Sequence, residues 1–170
     1  VFCALRSETG VVMASLHRWA ELRADTDKRI IEGMVISWND EARLYGQTRE
    51  RIEQGAVRWN DVILNSQHDE SRLLARTGGG GLAISENPNG IQMRAELPNT
   101  READDVLELV KTRVLRGLSI EMVVERDKWN NRHRIITKAR MTGIGVVARP
   151  AYGQSKVVAR NNAKRRKGWL

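Results

Sequence analysis

From Arg29 onward the chain breaks into short runs of alternating apolar and polar residues, and one segment alone carries helical spacing. Alternation with period two sends successive side chains to opposite faces of a strand, so it commits a chain to sheets with one buried face. The runs are IIEGMVISW, VRWNDVILNSQ, GLAISENPNGIQMRAEL, LSIEMVVE, RIITKARM and IGVVARPA. In the third, Asn87-Pro88-Asn89-Gly90 separates two alternating stretches and predicts a hairpin, since Gly90 tolerates positive φ and Pro88 fixes its own. Ile91, Met93, Ala95 and Leu97 then share one face of its second strand. In the fourth, Leu118, Ile120, Met122 and Val124 alternate strictly, and Asn130-Asn131 predicts a turn into the next run.

The helical segment follows the hairpin. Asn99 is placed to cap it, with Glu102 three residues later in a capping-box arrangement. Glu102, Asp104 and Asp105 precede Lys111, Arg113 and Arg116, an order that suits the helix dipole. Ala103, Val106, Leu107, Val110 and Val114 form its apolar stripe, and Gly117 is expected to stop it. The stretch Ala14 to Arg23 also admits a helix. The overall expectation is a mostly β (α+β) domain, a small mixed barrel with this one firm helix.

A chain of 170 residues with 41% apolar content is long enough for one packed domain. Residues 1–28 read as a peripheral segment, residues 29–158 as the folded domain, and residues 159–170 as a solvated basic tail. No apolar run approaches the length of a membrane span. Arg6 and Glu8 interrupt the opening stretch, which argues against a signal peptide. A single cysteine, Cys3, excludes an internal disulfide framework, and no His/Cys/Asp cluster has metal-ligand spacing. The pattern calls for no cofactor. Gly78 to Gly81 lack the lysine and helix of a phosphate loop and read as a connection.

The net charge of +8 is unevenly placed. No Asp or Glu follows Asp127, while twelve Lys and Arg do, so the first 127 residues carry a balance of −4. Such a basic end suits an acidic partner or nucleic acid held through counterion release, or serves simply to keep the chain in solution. Trp19, Trp38, Trp59, Trp129 and Trp169 are scattered rather than interleaved with the basic residues, which weakens a base-stacking reading.

His17 and His133 read as surface residues. His68 stands at the end of a strand run and precedes Asp69, a position from which an imidazole can act as general base. Ser119 begins the LSIEMVVE strand just after the helix and faces away from its apolar side, so its side-chain direction is expected to be open. The motif GLSIE lacks the second glycine of GxSxG, and the serine enters a strand rather than a helix, which excludes an α/β-hydrolase elbow.

Five stretches, in order, carry a family resemblance: RIIEGMVISWND, YGQTRERIEQGAV, NSQHDESRLLAR, RGLSIEM and GVVARPAYGQSKV. From about Arg29 to Lys156 the chain resembles the prohead (capsid maturation) proteases of tailed bacteriophages, distantly similar to herpesvirus assemblins. The resemblance implies a small β-barrel wrapped by helices, with the active site on the outside of the barrel. It implies a serine endopeptidase with Ser119 as nucleophile and His68 as base, and makes residues 29–158 the protease domain. Substrates would be the scaffold or the capsid protein's arm, and the chain itself, inside the assembling prohead in the host bacterial cytoplasm. A homo-oligomer and a nucleic-acid contact through the tail stay open.

Relatives commonly carry a third polar partner on the closing strand, where this chain has Gly143. With no acid after Asp127, that strand cannot supply one. Glu121 is the best local substitute, two residues from Ser119 on the same face, about 6.5–7 Å away between Cα atoms. Asp69 is a poorer orienter, and His133 serves only if its hairpin folds back. Arg149 loosely matches the position whose backbone contributes to the oxyanion site. Two alternatives follow from these departures: a degenerate, scaffold-binding assembly component, motivated by Gly143, and a basic nucleic-acid-binding domain, motivated by the C-terminal charge.

Overall fold

The computed structural model describes residues 13–16, 22–25, 27–38, 40–43, 48–79 and 81–148. The strands are β1 (Met13–Leu16), β2 (Leu22–Asp25), β3 (Ile30–Ser37), β4 (Ala42–Arg43), β5 (Arg49–Ile52) and β6 (Val57–Ser66). They continue with β7 (Asp69–Arg76), β8 (Leu82–Asn87), β9 (Gly90–Glu96), β10 (Gly117–Asn130) and β11 (His133–Val147), with helix α1 (Arg101–Lys111) before β10. The mostly β reading holds. Among these residues there are two sheets and one helix, and no closed barrel. The smaller sheet runs β2-β3-β9-β8. In the larger one, β10 and β11 form a long central hairpin, with β1 on the outer edge of β10. β11 pairs in parallel with β5 along its first part and with β6 along its second, and β7 pairs with β6.

The alternating faces meet in one apolar core. Ile91, Met93, Ala95 and Leu97 are buried from β9 and its end, and Leu118, Ile120 and Met122 from β10. Ala103, Val106, Leu107 and Val110 of α1 join them. Ile136, Ala139, Met141, Ile144 and Val146 complete it from β11. The change of parity between Met141 and Ile144 is a β-bulge. Glu121 pairs with Gly143 and Met122 with Met141, so Thr142 is the extra residue. The two separate runs expected here are therefore one strand.

The hairpin between β8 and β9 is tightened by Asn87, whose side-chain oxygen accepts from the amides of Asn89 (2.8 Å) and Gly90 (3.1 Å). Gly90 has a second reason to lack a side chain, because a Cβ there would overlap the carbonyl oxygen of Ile36 on β3. Gly90→Ala is accordingly expected to destabilise the fold by about 1–3 kcal/mol, read as a lower urea midpoint at unchanged slope.

Helix α1 differs from the sequence expectation at both ends. Its cap is Thr100, whose hydroxyl accepts from the Ala103 amide at 3.3 Å, one residue after Asn99. Glu102 instead reaches Arg72 of β7 at 2.8 Å, tying the helix to the larger sheet. The helix stops at Lys111 because Arg113 adopts φ 62° and its amide returns to the Val110 carbonyl. Val114 is thus outside the stripe and 55% exposed, and Gly117 opens β10 instead of closing the helix.

Of the stretch Ala14 to Arg23, where a helix was expected, the described ends lie in strands β1 and β2, and residues 17–21 lie outside the described residues. Each pairs with a strand edge, and those tertiary hydrogen bonds override a marginal local preference. At the far end of the central hairpin, buried Glu50 and Asp127 hold Arg134 at 3.0 and 2.6 Å, and its guanidinium lies 5.8 Å from the Trp129 ring centre. Paired on both carboxylates, this cation locks β5 to the hairpin. The basic tail, Cys3 and His17 lie outside the described residues, as does Arg149.

Candidate active site

The candidate site lies where β6, β10 and β11 run side by side. Strands β6 and β7 are joined by Gln67 and His68 alone, with φ 58° and 60°. Both central residues at positive φ is the twist of a type I′ hairpin turn, a position usually given to Asn and Gly. Holding two other residues there costs about 1–2 kcal/mol each. The turn is tied down in return. The Gln67 amide donates to the Val146 carbonyl at 2.9 Å, and its side-chain oxygen accepts from the Ala148 amide at 3.1 Å. The result aims the His68 ring back across β11.

Beneath the ring lies Gly145, paired with Ser119 in the register of β10 and β11. A Cβ on Gly145 would stand 2.7 Å from His68 Cε1 and 2.8 Å from Nδ1, closer than packed atoms tolerate. The missing side chain is what lets the imidazole lie flat on the sheet. His68 Nε2 then meets Ser119 Oγ at 2.8 Å, and Nδ1 meets Glu121 Oε1 at 2.6 Å. A carboxylate at Nδ1 places the ring proton there, which leaves Nε2 free to accept from the serine hydroxyl. Asn65 of β6, fully buried, donates from Nδ2 to the same Glu121 oxygen at 3.0 Å.

Gly143 has the matching role for the acid. It is the register partner of Glu121, and a Cβ on it would overlap Glu121 Oε2. The place where the closing strand was expected to carry an acid is therefore the space that the Glu121 carboxylate occupies. The bulge at Thr142 makes this work, since it turns Gly143 and Gly145 to the face shared by Ser119 and Glu121 while Ile144 and Val146 stay in the core.

The structure brings together His68, Ser119 and Glu121. It does not bring His133, which lies at the opposite end of the hairpin, 3.5 Å from Glu41. Asp69 also points elsewhere. It accepts from the hydroxyl and amide of Ser71, at 2.6 and 2.9 Å, and those bonds hold its carboxyl below the usual range. One expectation needs correction. Ser119 faces away from the apolar core, yet it is 0% exposed, with His68 folded over this face. Sequence reasoning missed Asn65 and Gly145. The signal for Asn65 was the Asn-x-x-His spacing across the end of β6, since a residue on that strand shares its face with the turn's imidazole.

Gly145→Ala is expected to push the imidazole off both partners and to slow a reaction depending on it by about 10²-fold, with little change in the unfolding transition. Parallel measurements of turnover and thermal unfolding on the purified variant test this.

A serine hydroxyl, an imidazole and a carboxylate in this sequence of hydrogen bonds can perform nucleophilic acyl transfer, with the proton moving from Oγ to Nε2. That is the chemistry of a serine hydrolase. A family model of caudovirus prohead serine proteases matches residues 18–167, and the chain belongs to that family. No curated protein and no solved structure matches it. The family supports a role in capsid maturation inside the assembling prohead. Among the described residues, no helix is long and apolar enough to cross a membrane, and no group of acids, cysteines and histidines could hold a metal ion.

Proposed function

We propose that this chain is the serine endopeptidase of prohead maturation, cleaving the scaffold or the capsid protein's arm, and itself. Ser119 Oγ attacks the scissile carbonyl while His68 Nε2 takes its proton. The same proton then goes to the departing amine, the C–N bond breaks, and an acyl-enzyme remains on Ser119. Water, deprotonated by His68, releases the acid product and restores the hydroxyl. Glu121 orients the imidazole and stabilises its positive charge, and Asn65 fixes the carboxylate. The observation that carries this reading is the bridging of Ser119 Oγ and Glu121 Oε1 by the two nitrogens of one ring, at 2.8 and 2.6 Å.

The reading of a degenerate assembly component drew on the lack of an acid at Gly143, and Glu121 at the imidazole removes that motive. Intact mass spectrometry over time, with the neighbouring capsid or scaffold protein present, separates the two. Fragments from the wild type that vanish in Ser119→Ala support the peptidase. Identical intact spectra, with the capsid protein shown to assemble, overturn it.

A further inference from the structure

Strand β10 carries Ser119 and has two edges. The inner edge is taken along its length by β11, from Gly117 opposite Val147 to Asn130 opposite His133. The outer edge is therefore the one by which an extended chain can add to the strand that bears the nucleophile. β1 is there already. It pairs antiparallel, Met13 with Val123, Ala14 with Met122, Ser15 with Glu121 and Leu16 with Ile120. The described pairing reaches Ile120, the neighbour of Ser119. Strands in a sheet lie about 4.8 Å apart, so a chain held on this edge delivers its next backbone units beside the serine. Addition of an extended peptide to a free strand edge is a common mode of peptide recognition, with main-chain hydrogen bonds supplying affinity.

Two further observations bear on β1. The family match starts at residue 18, just after β1 ends at Leu16. And Ser119 is 0% exposed, although acyl transfer demands that a carbonyl reach its Oγ.

We propose that the outer edge of β10 is the docking edge for the extended polypeptide substrate, and that β1 occupies it in cis as a substrate-like strand that must leave before a substrate can add. The inference rests on the peptidase reading above and adds to it the binding edge and a built-in competitor. A segment upstream of the family-matched part thereby holds the enzyme closed by backbone pairing, without any residue of the triad changing place.

The test follows labelling of Ser119 by a fluorophosphonate probe in the full-length chain and in a Ser15→Pro/Leu16→Pro variant. Two adjacent prolines remove the amide that faces β10 whichever of the pair donates. The variant is expected to label at least tenfold faster. A synthetic peptide spanning residues 9–20 of this chain, added in excess, is expected to return it to the slow rate. Equal rates in the two proteins overturn the docking edge and leave the nucleophile standing. No labelling of either, with the fold intact by circular dichroism, overturns the peptidase reading and this inference with it. If the proline variant does not fold, hydrogen exchange on Ser119→Ala serves instead. Adding the capsid protein should speed exchange at Met13–Leu16 at least tenfold while Ile120–Val123 stay protected, and unchanged exchange at Met13–Leu16 overturns the proposal.

Discussion

Ser119→Ala and His68→Ala are each expected to lower the single-turnover rate of capsid-protein cleavage by about 10⁶-fold, and the double variant by no more than either alone. The reason is that the two residues perform one act. Without the imidazole, Oγ keeps its proton and is a poor nucleophile. Without the hydroxyl, the imidazole has nothing to activate. Each loss therefore removes the whole covalent route, leaving whatever binding and electrostatic stabilisation the rest of the site provides. Rates that multiplied across the double variant would mean that the 2.8 Å contact between Nε2 and Oγ is not the catalytic one. Stability should be little altered in Ser119→Ala, because the hydroxyl's partner can turn to water once the ring is released.

Glu121→Gln is expected to cost about 10⁴-fold in turnover, with substrate affinity nearly unchanged. The amide is close to the carboxylate in shape, so the ring is still held. It removes the charge that compensates the imidazolium, and it can present an N–H to Nδ1, which favours the wrong tautomer. Asn65 already donates to the same oxygen at 3.0 Å, so a glutamine with its oxygen kept toward Asn65 can still accept from His68. Asn65→Ala combined with Glu121→Gln should then fall below Glu121→Gln alone. A Glu121→Gln enzyme as fast as wild type would place the orienting group elsewhere. Single-turnover rates and a substrate titration on the same samples separate the two effects.

Much of the fold was legible because alternation reports burial directly. Leu118, Ile120 and Met122 are all in the core, as are the four residues read onto the second strand of the Asn87–Gly90 hairpin. What period two does not report is which strands are neighbours. The parallel pairing of β11 with β5 and then β6 joins residues 80 to 84 positions apart, and no local pattern encodes it. For the same reason alternation could not decide on a barrel, because closure depends on which edges meet, and among the described residues the strands form two sheets. The helix ends were misplaced because Thr100 and Asn99 are both good caps, and because the left-handed turn at Arg113 uses a residue that ordinarily avoids it.

At the site, parity put Ser119 and Glu121 on one face of one strand, and that much followed from counting. Gly143 showed only that its strand supplies no acid there, because a missing side chain says nothing by itself about what fills its place. The bulge at Thr142 was hidden in the same way, since one inserted residue looks like the end of one run and the start of another. Burial of Ser119 was illegible from its own strand. The residue folded over it, His68, belongs to a turn 51 residues earlier.

The pairing of Glu121 with Gly143 also bears on how relatives of this chain should be compared. A carboxylate and the room for it are shared between two facing positions, so the pair can exchange roles. An acid at 143 would demand a small residue at 121, and an acid at 121 demands glycine at 143. The two columns are expected to covary across the family, and an alignment scored one column at a time would count chains of this type as lacking their acid. Scored as a facing pair, they would not be separated from the rest.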